Sequence, residues 1–193
     1  MIDNKYGQIS EGWLEGCEHV ASPNYGERPR GSKVELVVVH NISLPPGEFG
    51  GPYIADLFTN SLDPQEHPYF EEIAHLRVSA HFLIRRDGDV VQFVSTQDMA
   101  WHAGVSQWRS REKCNEFSIG IELEGTDTHL YTQEQYARLE EIIRKCRAVH
   151  PDIEEDAIVG HSDIAPGRKT DPGESFDWQD LQTRLGIESL SRG

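Results

Sequence analysis

Cysteine is scarce in this chain and poorly spaced for structural work. Cys17, Cys114 and Cys146 are odd in number and form no C-x-x-C pair, which reads as reduced thiols rather than a disulfide framework or a cysteine zinc site. Basic charge is short as well: 18 Lys and Arg stand against 33 Asp and Glu, a formal net charge of −15. That balance argues against nucleic acid or an anionic membrane as partner, since both are held by a basic face. It leaves room for a local basic pocket. No apolar run approaches the roughly 18 residues of a membrane span. Met1-Ile2-Asp3-Asn4-Lys5-Tyr6 has no basic start followed by an apolar stretch, so no signal peptide is expected and the cytosol is the default location. An H-E-x-x-H pair, an internal repeat, a low-complexity tract and a linker are all missing, and no obligate protein partner is evident.

What remains is an ordinary soluble mixture, 37% hydrophobic and 26% charged over 193 residues, enough for one domain with a sizeable core. The expected unit is 1–193, with 1–33 a polar, irregular segment that packs on the domain without being its core. Val34 to Val39 is a β-branched run of strand length, fit for a strand buried on both faces in the middle of a sheet, and His40 and Asn41 stand at its end. Residues 52–59 and 69–76 read as short helices. From 78 to 86, Val78, Ala80, Phe82 and Ile84 alternate with Ser79, His81 and Leu83; Asp87-Gly88 then turns the chain into Val90–Val94, a hairpin. Phe117 to Glu124 alternates too, with Ile119, Ile121 and Leu123 on one face and Glu122 and Glu124 on the other. Thr132-Gln133-Glu134-Gln135 opens a helix with a capping box. That helix runs through Tyr136, Leu139, Ile142, Ile143, Cys146 and Val149 to Pro151. Glu140/Arg144 and Glu141/Lys145 are expected on its wet side. Asp177 caps a last helix that Gly186 stops. The fold class is α/β, a mixed sheet with helices packed on it.

The most unusual stretch is Gly160 to Asp171. Ala157, Ile158 and Val159 deliver His161 to a loop that carries Arg168, Lys169 and Asp171 before Pro172 and Gly173. An imidazole, a carboxylate and two cations are odd cargo for a connector, and loops on rigid scaffolds are where chemistry sits. His40, His161 and Asp171 together would leave a fourth position of a zinc ion open, the pattern of a catalytic site. Taken by placement alone, the plainer reading, that each is a polar residue closing a strand, carries more weight.

Several segments lie in matching order and spacing from about residue 34 to 185. They are Val38-Val39-His40-Asn41-Ile42-Ser43-Leu44-Pro45-Pro46-Gly47, Arg77-Val78-Ser79-Ala80-His81, Trp101-His102-Ala103-Gly104, Ile119 to Gly125, and Gly160 to Gly173. Through them the chain resembles the zinc N-acetylmuramoyl-L-alanine amidases, a family that includes phage lysozyme-like amidases and peptidoglycan recognition proteins, and within it the cytosolic enzymes of anhydro-muropeptide recycling. The resemblance implies a central mixed sheet flanked by helices and one zinc per chain held by His40, His161 and Asp171. It also implies cleavage of the bond between the lactyl group of (1,6-anhydro-)N-acetylmuramic acid and L-alanine in a muropeptide. Glu122 is the implied general base and Lys169 the cation that meets the developing oxyanion. Glu124 is then the solvated strand glutamate.

Arg77, Lys113 and Arg168 are expected to bind stem-peptide carboxylates, although Lys113 stands where relatives carry arginine and lacks its two-pronged grip. Asn41, Trp101 and Ala165 are expected along the sugar and peptide groove, Trp101 being equally a core residue. His81 and His102 are read as supporting rather than ligating, and Ala80 replaces a tyrosine of some relatives. Two other readings stay open: an amidase acting on intact cell-wall peptidoglycan, and a binding-only module. The second is disfavoured because all three ligand candidates are present.

Overall fold

An apolar run such as Leu36–Val39 needs cover on both faces, and the fold supplies it. The computed structural model describes residues 4–190; Met1 to Asp3 of the N-terminal stretch read above lie outside them. Six strands form the main sheet: β1 (Glu18–His19), β2 (Leu36–Ile42), β3 (Phe82–Ile84), β4 (Val90–Gln92), β5 (Ser118–Glu124) and β6 (Ile158–Gly160). Their order is β6-β2-β5-β3-β4-β1. β6, β2, β5 and β3 are mutually parallel, β3 and β4 form the antiparallel hairpin, and β4 and β1 are parallel. The sheet is mixed and the class α/β, as expected.

The helices are α1 (Tyr53–Phe58), α2 (Pro68–Ile73), α3 (Gln133–Val149), α4 (His161–Ile164) and α5 (Trp178–Leu185). α3 begins with the expected capping box, Thr132 and Gln135 exchanging hydrogen bonds. The side chain of Asp177 caps α5 and Gly186 ends it in the left-handed conformation. One core lies between the sheet and α3 with α5, built on Val37, Val39, Ile119, Ile121, Leu139 and Ile142 among others. A second lies on the other face under α1 and α2, around Leu57, Phe70, Leu83 and Phe93. Beside that second core, the face of β2 and β5 that carries His40 and Glu122 is left for the site. No helix among the described residues is long and apolar enough to cross a membrane.

Four expectations need correction. The N-terminal segment belongs to the core: Tyr6, Ile9 and Leu14 are buried in the larger cluster, and Glu18–His19 extends the sheet as its edge strand. The segment also covers the supposed wet side of α3. Glu141 is 1% exposed, accepts the Tyr6 backbone N–H at 2.9 Å, and is flanked by buried Arg138 and Lys145. Helical periodicity reports which face is charged, and here that face is covered all the same.

The alternation from Val78 also breaks, because β3 starts only at Phe82. Val78 and Ala80 pack with Leu83 in the second core, whereas Phe82 and Ile84 join the first, so the parity slips at His81. Finally, Glu124 is 2% exposed rather than solvated. It accepts the backbone N–H groups of Gly50 and Arg86 and ties two loops to the end of β5.

Candidate metal and catalytic site

Three parallel strands bring the site together at neighbouring ends. His40 pairs with Glu122 in the β2–β5 ladder, and Gly160 pairs with Val39, which puts His161 next to His40 as β6 gives way to α4. The sequence had read only a loop after His161; the chain first makes one helical turn, 161–164. Likewise β2 continues two residues past His40, because Asn41 and Ile42 pair with Leu123 and Glu124. Neighbouring C-terminal strand ends are where open α/β sheets hold ligands.

Asp171 returns to this row through a tied loop. Ser162 donates its N–H to the Asp171 carbonyl at 3.0 Å. The Pro172 carbonyl accepts Tyr131 Oη–H at 2.7 Å and Asn41 Nδ2–H at 3.1 Å. Asp127 accepts from Asn41 and from Thr170, at 2.8 and 2.6 Å. Gly173, with φ +84°, lies so close to Asp127 that a Cβ there would stand 2.1 Å from its Cα. Asp127, which the sequence reading passed over, is thus the post to which the loop carrying Asp171 is fastened. Its signal was weak: one more acid in a Gly-Thr-Asp turn.

His40 Nδ1, His161 Nδ1 and Asp171 Oδ2 form a triangle with edges of 3.0, 3.0 and 3.1 Å. Ligand atoms on a tetrahedral zinc stand about 3.3 Å apart, given bonds near 2.0 Å. Both histidines are buried. His161 Nε2 lies 3.0 Å from the Ala103 carbonyl, which only accepts, so a neutral His161 keeps its Nδ1 lone pair for the triangle. Burial holds His40 down to a pKa of about 4, so at neutral pH it too is an uncharged donor. Asp171 turns its Oδ2 to Nδ1 of both histidines, 3.0 and 3.1 Å away. Two lone pairs and an anion converging in a buried place fit a divalent cation, and two nitrogens with one oxygen suit zinc. These three side chains are also a His/His/Asp group with donor atoms all within 4.8 Å of one another.

Glu122 stands beside them, 9% exposed, and its Oε2 is buried with no hydrogen-bond partner in the protein. Burial, then the neighbouring Asp171 charge, pushes its carboxyl well above the usual range, with Lys169 pulling the other way. A buried, unpartnered carboxyl with a raised pKa is characteristic of a functional acid or base. Glu122, His40, His161 and Asp171 line a cavity of about 720 Å³ together with Asn41, Trp101, Arg168 and Lys169, large enough for a small ligand.

The remaining site candidates divide. Lys113 and Ala165 line an adjoining cavity of about 550 Å³, and Arg168 lines both. The Arg168 guanidinium donates to the Ala103 and Val105 carbonyls at 2.7 and 2.6 Å, so it braces the wall between the two. Arg77 is outside both linings; it is exposed and donates to the carbonyls of His75 and Leu76. Ala80 is fully buried in the second core. His81 is likewise buried, and burial and then Arg28 hold its pKa at about 3. His102 touches His40, Nδ1 to Nε2 at 2.9 Å.

With this geometry in hand, the relatives can be placed. The family model for N-acetylmuramoyl-L-alanine amidase (Amidase_2) matches residues 30–174, and the chain belongs to that family. It is 61% identical over 181 residues to the 1,6-anhydro-N-acetylmuramyl-L-alanine amidase AmpD of Escherichia coli (strain K12), covering 94% of this chain and 98% of that protein. Among solved structures, a selenomethionine derivative of AmpD superposes with a TM-score of 0.90 at 55% identity, over 93% of this chain and 99% of that one. The amidase AmiD from E. coli, in complex with the substrate anhydro-N-acetylmuramic acid-L-Ala-D-γ-Glu-L-Lys, matches with a TM-score of 0.60 at 26% identity. That match covers 84% of this chain and 62% of the AmiD chain.

Proposed function

We propose that this protein is a zinc-dependent amidase that hydrolyses the bond between the lactyl group of 1,6-anhydro-N-acetylmuramic acid and L-alanine in muropeptides, within cytosolic recycling of the cell wall. One zinc per chain would be held by His40, His161 and Asp171, in a single-domain protein. The observation that carries the reading is the His40–His161–Asp171 triangle, its two histidines buried, sharing one cavity with the unpartnered carboxyl of Glu122. AmpD, whose name states this activity, matches over 98% of its own length.

Zinc at that position would polarise the scissile carbonyl and acidify a water molecule. Glu122 would accept a proton from the attacking water and return it to the alanine nitrogen as the amine leaves. Its raised pKa in the metal-free protein suits a group that must hold a proton between the two steps. Lys169, exposed on the cavity wall, would bring a cation to the carbonyl oxygen as it gains charge. Asn41 and Trp101 line the chamber for sugar and lactyl group. Lys113, Ala165 and Arg168 lead the stem peptide into the adjoining cavity. Arg77 lies off this path, so no carboxylate contact is assigned to it.

The test is mass spectrometry after incubation with an anhydro-N-acetylmuramyl tripeptide and, separately, with intact sacculi. Rapid tripeptide release from the first with little from the second supports the reading; the reverse transfers the activity to intact wall. No release from either removes the amidase assignment.

A further inference from the structure

The proton positions around the triangle follow from its surroundings. The Cys114 carbonyl only accepts, so Ser118 Oγ–H donates to it, at 2.6 Å. Having spent its hydrogen, Ser118 Oγ accepts from His102 Nε2–H at 3.1 Å. A neutral His102 protonated at Nε2 presents a bare Nδ1, which accepts His40 Nε2–H at 2.9 Å. His40 is thereby left with its lone pair on Nδ1, the atom in the triangle. Every link has one hydrogen and one direction.

We propose that His102 is a positioning residue that fixes the tautomer and ring orientation of His40 for metal binding, with Ser118 setting His102 in turn. This rests on the zinc reading given above.

Three further features serve the same arrangement. The His40 and His102 rings meet edge to face, with centroids 5.0 Å apart. Gly120 clears the space: a Cβ there would lie 2.4 Å from His102 Cγ and 2.6 Å from both Cδ2 and Nδ1, so the strand under the ring lacks a side chain where the ring sits. The backbone of the loop is pinned as well, because Asn115 Oδ1 accepts the N–H groups of both His102 and Ala103, at 3.1 and 2.8 Å. Since the Ala103 carbonyl accepts His161 Nε2–H, two successive residues of one loop set the proton on both histidine ligands. His102 does so by its side chain and Ala103 by its backbone. Partners that orient ligating histidines typically govern metal affinity by 10- to 100-fold.

The test uses the full-length protein stripped of metal. Zinc affinity is measured by competition with a chromophoric chelator, and the visible absorption of cobalt(II) bound in place of zinc reports ligand geometry. Wild type is expected to bind one zinc. His102→Leu, which removes the acceptor while filling the space, is expected to bind about 10- to 100-fold more weakly, with an altered cobalt spectrum. His102→Asn places an amide oxygen close to the lost Nδ1 and is expected to recover most of the affinity. Ser118→Ala leaves His102 itself intact and is expected to weaken binding several-fold, which keeps the test alive if His102→Leu does not fold. Wild-type affinity and spectrum in both His102→Leu and Ser118→Ala would overturn the inference. Absence of zinc binding by the wild type would overturn the metal reading and the inference with it.

Discussion

Glu122 and His40 are register partners on adjacent parallel strands, β5 and β2, and partners in such a ladder project from the same face of the sheet. Burial drives the two in opposite senses: the Glu122 carboxyl rises well above its usual range and the His40 imidazole falls to about 4. Burial thus favours the uncharged form of each in the metal-free protein, the two standing side by side.

The stability of the metal-free protein should record this. A carboxyl whose folded pKa lies above its unfolded value makes the folded state the better proton holder. Its stabilising contribution is full below the ordinary carboxyl range and is lost as pH rises toward the raised value. His40 acts oppositely, with its contribution present above about pH 6.5 and lost as pH falls toward about 4. In urea titrations of the metal-free forms, Glu122→Gln should therefore gain on wild type as pH rises above the ordinary carboxyl range. A pH-independent difference would refute the raised carboxyl. With zinc bound, the same variant should keep the metal and lose about 10²- to 10⁴-fold in kcat.

Chelation should abolish turnover and added zinc restore it, with about one zinc per chain by elemental analysis. Zinc at 100 times its Kd should stabilise the fold by about 2.7 kcal/mol, read as a rise in Tm. Asp171→Asn removes the anion from the triangle and should lose most of that rise. Full activity after exhaustive chelation would remove the mechanism.

Lys169→Ala should cost about 10²- to 10³-fold in kcat with zinc content unchanged, the size of a lost oxyanion contact. A change in KM alone would reassign Lys169 to ground-state binding of substrate.

Glu141→Ala should cost about 3 kcal/mol in urea unfolding, because Lys145 would stay buried without the carboxylate it faces. The Tyr6 N–H would also lose its acceptor. A loss under 1 kcal/mol would show that the N-terminal segment does not seal this face in solution.

Gly173→Ala should be destabilising by about 1–3 kcal/mol, since it combines a left-handed backbone with a clash against the Asp127 backbone. It should also weaken zinc binding, because Asp127 fastens the loop that carries Asp171. Unchanged zinc affinity would separate the fastening from the ligand.

The sequence by itself determined the elements whose signals are local. The β-branched run of β2, the Asp87-Gly88 hairpin, the Thr132 capping box and the Asp177 and Gly186 ends of α5 are short-range patterns, and each forms where expected. His40, Glu122 and His161 stand on or at the end of such elements, so their placement was legible for the same reason, while the roles expected of them came from the family resemblance. Tertiary structure decided whatever depends on what lies across from a residue. Glu141 and Glu124 look solvated along the chain and are buried by segments distant from them in sequence. Arg77 looks poised in its motif and points its guanidinium at nearby backbone carbonyls, outside both cavities. The parity of residues 78 to 84 slips because His81 is held by Gly120 and Phe93 rather than by a regular ladder. The directed chain from Cys114 through Ser118 and His102 to His40 joins four residues that no spacing rule links. Hydrogen-bond direction is a property of three-dimensional neighbours, and only the packed strands bring these neighbours within reach.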